Sequence, residues 1–581
     1  MPTSKPLLPR LRLSMESVRL RVSRPDALLW HGAIGLITGL VAGSVIVAFR
    51  LVVEGSQAAM LPEHGENYEA LSLLARLLLP ILGALLIALL FLRFAKGIYV
   101  LGVARVMERM EYHQGHMTWR GFALQFLGAA IAIISGHSVG REGPHVYLGA
   151  ASGSLLGQGL SLPNNSIRTM AACGTAAGIA ASFNTPLAGV MFALEVLALQ
   201  YSISAFIPII LAAVSANAVS VGVFGSSPTF QVPPFVMTSL ADLLPVLLLG
   251  LIAGAVSASY VQSLQTIARL SKDISFFLRI CIAGVVAGIA GVLVPEVMGL
   301  GYDTQRSLLL EQWPWTFLLV LLGAKLFATS TSVGLGIPGG TIGPALFMGA
   351  IIGSLTGVLA GQFIEIDATH ARFYVLLGMG AMMGASLQAP LAALTAVVEL
   401  SHSPGVIMPG MLTIILAAMT SRQGFGKDSL FLTMLRANGL DYRANPIVEA
   451  LRRSGVGSVM STSFTRQDPV LSRDKAEQLI NASPDWVLVD KNGAPAYLIP
   501  GIAIATFLSH TKDAGEVDLL AIPADRLELA PVHLQATLQE ALDTLKSRGA
   551  DALYVQRPIA PGINHIYGVL TRGRIESAYR Y

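Results

Sequence analysis

Cysteine and charge are what this sequence has least of. Only two Cys occur in 581 residues, Cys173 and Cys281, both inside apolar runs, so they build neither a disulfide framework nor a thiolate metal site. Charged residues make up 13% of the chain, against about 25% in soluble domains. That excludes a purely soluble enzyme and a disordered chain. No secretory leader is evident: the first 26 residues carry six basic and two acidic residues, and no apolar core followed by a small-residue cleavage site. No basic patch with interleaved aromatics points to nucleic acid. No HExxH, GxSxG or GK[ST] motif and no convergent His/Asp/Cys cluster points to an enzyme or a metal site.

What is abundant is apolar: 53% of residues are hydrophobic and 58 are Gly, with a mean hydropathy of +0.63. Residues 441–581 hold 31 charged residues, leaving 43 for the first 440 positions. A basic segment (1–28) thus precedes a long apolar block (29–442), and a soluble tail follows (443–581). Arginines beside the first span favour a cytoplasmic N-terminus, and Arg93–Arg120 reads as a cytoplasmic loop for the same reason. His31–Val53, Leu71–Phe94, Phe206–Phe224, Leu243–Val261 and Phe277–Val294 approach the about 20 residues needed to span a bilayer. Phe122–Ile134, Tyr147–Leu160, Ala345–Leu359 and Leu391–Leu400 are too short or broken, so hydropathy alone allows ten to sixteen helices. Interrupted helices at membrane depth are tolerated where they line a polar cavity.

The apolar block repeats itself. GREGPHVYLGAASGSLLG (Gly140–Gly157) matches GTIGPALFMGAIIGSLTG (Gly340–Gly357) at an offset of 200, with nine of 18 positions identical. ASFNTPLAGVMFALE (Ala181–Glu195) matches ASLQAPLAALTAVVE (Ala385–Glu399) at an offset of 204, pairing Pro186 with Pro390 and Glu195 with Glu399. Two homologous halves (about 29–225 and 240–442) should therefore face a common axis. In each, a Gly-x-x-Gly-Pro turn opens a helix, where proline's missing N–H is not needed. A helix N-terminus has free donors and about half a positive charge, so it makes an anion site without Lys or Arg. The expected donors are the backbone amides of Gly140, Arg141, Glu142, Gly143, Gly340, Thr341, Ile342 and Gly343. Glu142 is either a cap on its helix end or, as an ionisable group at membrane depth, a gate that competes with the anion and takes up a proton. His137 and His145 bracket that turn, either sensing external pH or facing a wet vestibule.

These residues resemble the CLC family of chloride channels and chloride/proton exchangers. GREGP (Gly140–Pro144) resembles the family's signature at its external gating glutamate, GGTIGP (Gly339–Pro344) its GGxFxP motif, and Phe183–Glu195 and Gly384–Leu400 are of its kind. The resemblance implies an all-α multi-span membrane protein of two inverted repeats of tilted and broken helices, in a homodimer with one anion pathway per subunit. It would sit in a plasma or inner membrane with both termini cytoplasmic, carrying chloride or similar monovalent anions, with protons as a second substrate in the exchanger reading, without a cofactor. Glu142 takes the gating role. Departures from the pattern matter. VLGVAR (Val100–Arg105) stands at the first motif, keeping Gly102 and putting Leu101 where a coordinating serine belongs. Phe431 occupies the place of a coordinating tyrosine, Tyr442 lying too far on, and Ile342 replaces the usual Phe. The family's exchangers usually carry an inner proton-transfer glutamate where Val196 stands. Val carries no proton, so a passive, voltage- or pH-gated channel is preferred to a chloride/proton exchanger, in which Glu195 would be the inner relay.

The tail alternates strands (Trp486–Asp490, Ala496–Ile499, Ala552–Val555, Ile566–Leu570) with helices, one being Thr537–Gly549 with a glycine cap. Val456–Ser461 and Tyr567–Ile575 resemble the opening and close of paired CBS modules, implying a small α/β cytoplasmic CBS-pair domain. Such pairs often bind adenine nucleotides through an acid after the last strand, but Arg574 stands there. A structural tail is preferred to a nucleotide sensor, and a membrane-anchored CBS ligand sensor is the weaker alternative for the whole chain.

Overall fold

The computed structural model describes residues 19–24, 27–62, 66–99, 101–197, 203–226, 242–362, 368–440, 446–491, 493–511, 515–560 and 563–578. Most of the basic segment 1–28, and Tyr442, lie outside the described residues. The chain divides into two compact units, one of Gly32–Gln158 and Arg168–Arg443, the other of Met1–His31, Gly159–Ile167 and Ala444–Tyr581. The connection Gly159–Ile167, expected within the apolar block, groups with the tail.

The described residues of the larger unit are helical. The helices are α1 (Leu28–Met60), α2 (Leu73–Phe94), α3 (Gly102–Tyr112), α4 (Trp119–Ile134), α5 (Glu142–Gly159), α6 (Asn164–Phe183), α7 (Pro186–Val196), α8 (Ile203–Phe224) and α9 (Leu243–Leu270). They continue as α10 (Phe276–Leu293), α11 (Tyr302–Leu310), α12 (Trp315–Leu335), α13 (Ile342–Ala360), α14 (Ala368–Leu387), α15 (Pro390–Ser401), α16 (Ile407–Met419) and α17 (Leu430–Ala437). Among the described residues, eight helical stretches are long and apolar enough to cross a membrane: α1, α2, Ala205–Phe224 within α8, α9, α10, α12, α13 and Pro404–Gly424 around α16. At 33 residues, α1 is about 50 Å long, far more than the about 30 Å hydrocarbon core requires. By contrast α7 has 11 residues and α15 has 12, too few to span. This mixture explains why hydropathy gave a range. It also hides α13, whose Gly-Pro first turn precedes its apolar run.

The two halves are built alike. A Cβ on Gly149 of α5 would lie 2.1 Å from the Gly174 carbonyl oxygen of α6, and one on Gly349 of α13 would lie 2.3 Å from that of Gly378 on α14. Both crossings thus bring backbone onto backbone, which small residues permit. Before α7 and α15 the chain turns at Asn184 (φ 58°) and Gln388 (φ 54°), and Pro186 and Pro390 open the helices. Gly102 of α3 and Gly301 just ahead of α11 share a left-handed backbone, φ 72° and 71°.

The tail contains strands β1 (Phe464–Gln467), β2 (Val470–Ser472), β3 (Trp486–Lys491), β4 (Ala494–Pro500), β5 (Glu516–Asp518), β6 (Leu527–His533), β7 (Ala552–Ala560) and β8 (Ile563–Thr571). A six-stranded sheet runs β1-β3-β4-β6-β7-β8, beside a β2-β5 pair. The parallel pairs β1·β3 and β6·β7 each enclose a helix, α19 (Arg473–Asn481) and α21 (Leu538–Arg548), after α18 (Pro446–Arg453). With α20 (Gly501–His510) and α22 (Arg572–Ser577) following β4 and β8, the tail is two strand–helix–strand–strand–helix modules. Each module has its own apolar core, one around Val487, Ile499 and Ile504, the other around Leu538, Leu553 and Leu570.

Candidate functional site

The matching turns of the two halves meet. The Gly140 N–H donates to the Gly340 carbonyl at 2.8 Å and the Gly340 N–H returns the bond at 2.6 Å. The Gly140 and Gly340 amides, expected among the anion's donors, thus hold each other instead. The remaining first-turn amides of α5 and α13 have no intrahelical carbonyl to bond. One of them is taken by the carboxylate from the opposite half. Glu142, 0% exposed, accepts the Gly343 N–H on Oε2 at 3.0 Å and the Tyr302 hydroxyl on Oε1 at 2.7 Å. A negative group therefore sits at the N-terminus of α13, where an anion would be bound.

Arg141 carries no such role with its side chain. Its guanidinium donates to the Ser182 carbonyl at 3.2 Å and pairs with Glu54 at 3.4 Å, lying 4.8 Å from the Tyr302 ring centre and 5.4 Å from that of Phe183. Ile342 is buried, and the Thr341 carbonyl accepts the Tyr260 hydroxyl at 3.4 Å. His145 is buried against Ser182 Oγ at 2.7 Å and His137 against the Pro80 carbonyl at 3.1 Å. Both rings are fully buried, so neither faces a vestibule.

A cavity of about 400 Å³ lies beside the Gly340 turn. Leu101, Arg105, Lys272, Arg279, Pro338 and Gly339 are among its lining residues, so it reaches the residue next to Gly340. Three cationic side chains, Arg105, Lys272 and Arg279, line it, of which Arg105 is paired with Glu108; such a lining favours anions. Leu101 precedes α3 without a side-chain cap. The Gly102 N–H donates to Gln125 Oε1 at 2.7 Å. Gln125 is 0% exposed and its Nε2 has no hydrogen-bond partner among the described residues, so a buried amide donor stands beside the position of the absent serine. Phe431 is buried edge-on against Phe192, ring centres 6.5 Å apart.

Glu195 and Glu399 form a reciprocal pair of caps. Glu195 accepts the Leu391 and Ala392 N–H groups at 3.2 and 2.7 Å, at the start of α15. Glu399 accepts those of Leu187 and Ala188 at 3.0 and 2.8 Å, at the start of α7. Both oxygens of each carboxylate are thus engaged by helix-end donors. Val196 is buried.

Outside the spans, Glu66 accepts the Tyr302 N–H at 3.4 Å. Burial, then the nearby Asp303, pushes its carboxyl up to about 7, and the same two causes raise Glu69 to about 7. Lys325, wholly buried on α12, donates to the Val297 carbonyl at 3.0 Å, with its Nζ 4.4 Å from the centre of the Phe347 ring.

Sequence reasoning missed Tyr302, Gln125 and Lys325. Lys325 was findable as the lone cation in an apolar span, and Gln125 as a lone amide in another. Tyr302 offered only the preceding glycine as a signal. In the tail, Ser461 and Val569 exchange backbone bonds at 2.8 and 2.9 Å, joining the predicted opening and close. Arg574 reaches the Val459 carbonyl at 3.2 Å.

Comparison with known proteins accords with this arrangement. A family model described as voltage gated chloride channel matches residues 83–422. The ClcB-like chloride channel protein of Ralstonia nicotianae is 32% identical over 370 residues, 63% of this chain and 86% of the relative. The H+/Cl− exchange transporter ClcA of Vibrio cholerae is 28% identical over 414 residues, 69% of this chain and 87% of the relative. A crystal structure of a eukaryotic CLC transporter superposes with a TM-score of 0.61 at 18% identity, covering 97% of this chain and 98% of that one. Its fold thus extends over the helical unit and the α/β tail. With more than half of its length matched by the family model, the chain belongs to the voltage-gated chloride channel (CLC) family of integral membrane proteins.

Proposed function

We propose that this protein exchanges chloride for protons across a membrane, with Glu142 as the gate at the external end of the anion path. The observation that carries the gate is the Glu142 carboxylate lying against the Gly343 amide at 3.0 Å. A carboxylate there competes with the anion for the helix-end donors. Protonation removes its charge and its claim on them, and the released side chain opens the path. Coordination by backbone amides, supplemented by Gln125, is weak enough for the anion to leave. Leu101 and Phe431 add no hydroxyl, so the central site is less polar than a serine–tyrosine pair would make it.

Kinship to proteins named as H+/Cl− exchangers supports proton coupling over the passive conduction that Val196 favours. The passive channel remains the second reading, because Val196 holds no proton and both oxygens of Glu195 cap α15. In an exchanger of this design Glu195 is the candidate for the inner proton relay. The tail is structural: Arg574 holds a carbonyl of its own module where an acid would be needed for a ribose. Both termini are cytoplasmic, on the side of the Arg93–Arg120 loop, and the protein works as a homodimer, as the family resemblance implies.

Reversal potentials of protein-loaded liposomes under a pH gradient at fixed chloride test the coupling. A shift with pH supports exchange, and no shift supports the channel. Glu142→Ala should raise flux at neutral pH and make it insensitive to external pH; persistent pH dependence would remove Glu142 from the gate.

A further inference from the structure

Tyr302 is bonded at both its ends to a carboxylate. Its hydroxyl donates to Glu142 Oε1 at 2.7 Å and its backbone N–H donates to Glu66 at 3.4 Å. The residue opens α11, immediately after the left-handed Gly301. Its ring is held independently, lying 4.8 Å from the Arg141 guanidinium and edge-on to Phe183 at 6.2 Å between centres. The phenol is thus placed by packing and aimed at the carboxylate. In the matching helix α3 the residue after the left-handed Gly102 is Val103, whose side chain has no donor. Only the outer helix end carries a hydroxyl.

We infer that Tyr302 is the latch of the gate, a positioning residue whose hydroxyl holds the ionised Glu142 in the anion's place. This rests on Glu142 being the gate. A hydrogen bond to a charged acceptor is stronger than one to a neutral acceptor, so the latch favours the ionised, closed form and releases the protonated one. Charged and titratable neighbours come from several elements: Glu54 on α1, Glu66 in the loop after it, Arg141 ahead of α5, Tyr260 on α9, Asp303 on α11 and Lys325 on α12. Glu66 contributes in the same direction. As external pH falls through about 7 its carboxyl becomes neutral, and its hold on the Tyr302 N–H weakens.

Tyr302→Phe removes the hydroxyl and keeps the ring against Arg141 and Phe183. Losing one bond to a carboxylate, about 1.5–3 kcal/mol, corresponds to about one to two pH units. The sign is fixed: without the donor the protonated form is favoured, so half-maximal flux should move to higher external pH. Chloride flux of the full-length protein in liposomes, measured against external pH, reads this out for wild type, Tyr302→Phe, Glu142→Ala and the double variant. The latch is supported if Tyr302→Phe shifts the profile upward and has no effect in the Glu142→Ala background. It is overturned if Tyr302→Phe keeps the wild-type profile, or if its effect persists undiminished without Glu142. Should Glu142→Ala itself retain pH dependence, the gate assignment fails first and the latch with it.

Discussion

The turns Gly140–Gly143 and Gly340–Gly343 share a backbone, a proline and a glycine crossing behind them, yet one sends a carboxylate across the axis and the other receives it. Position 142 is Glu and its counterpart 342 is Ile. The α3 and α11 helix ends differ in the same way, Val103 standing where α11 has Tyr302. Backbone symmetry supplies the matched donors, and two side chains break the symmetry, which in the proposed gate sets the end that closes. The reciprocal caps Glu195 and Glu399 show the opposite case, where both halves keep the same residue for the same task.

The equivalence of the halves is most severely tested at the crossings. Gly149→Leu and Gly349→Leu each drive a side chain into a carbonyl 2.1 or 2.3 Å from the new Cβ. That exceeds ordinary overpacking, which costs about 1–3 kcal/mol. Neither variant should accumulate as a monodisperse particle in size-exclusion chromatography; survival of one alone would make the crossings unequal. A smaller effect separates cap from relay. Glu195→Gln and Glu399→Gln each replace one acceptor by a donor facing a backbone N–H, and should lower stability in detergent equally, by about 1–3 kcal/mol. A changed proton-to-chloride ratio in Glu195→Gln alone would make that residue the relay. The smallest difference lies in the tail. Thr537 and Glu540 form a complete capping box on α21, whereas Ser472 makes no side-chain bond at the start of α19. Thr537→Ala should cost about 1 kcal/mol and Ser472→Ala almost nothing, as read by thermal melts of the full protein.

Legibility in the sequence followed how locally each feature is encoded. Paired glycines and prolines at constant offsets announced the halves, the helix-opening turns and Glu142, because tight turns and close crossings tolerate few other residues. Short apolar runs marked β3, β4, β7 and β8, and Gly549 (φ 63°) ends α21 as expected. Relations between distant residues were not legible. Glu195 reads equally well as relay or cap until the amides of Leu391 and Ala392 are beside it. The mutual bonding of Gly140 and Gly340 removes two donors that one turn, read alone, leaves open. Tyr302 belongs to a helix outside the repeated blocks, and only folding brings its hydroxyl to Glu142.

The bridge between Gly140 and Gly340 has a mechanical consequence. Rocking one half against the other would break two buried backbone bonds at once, leaving four polar groups without partners, each costing about 1–3 kcal/mol. In the proposed gate, swinging the Glu142 side chain breaks its bonds to Gly343 and Tyr302, and an arriving anion would take up the freed Gly343 N–H. The cheapest stroke of this machine is therefore a lever a few atoms long on a frame that stays clamped.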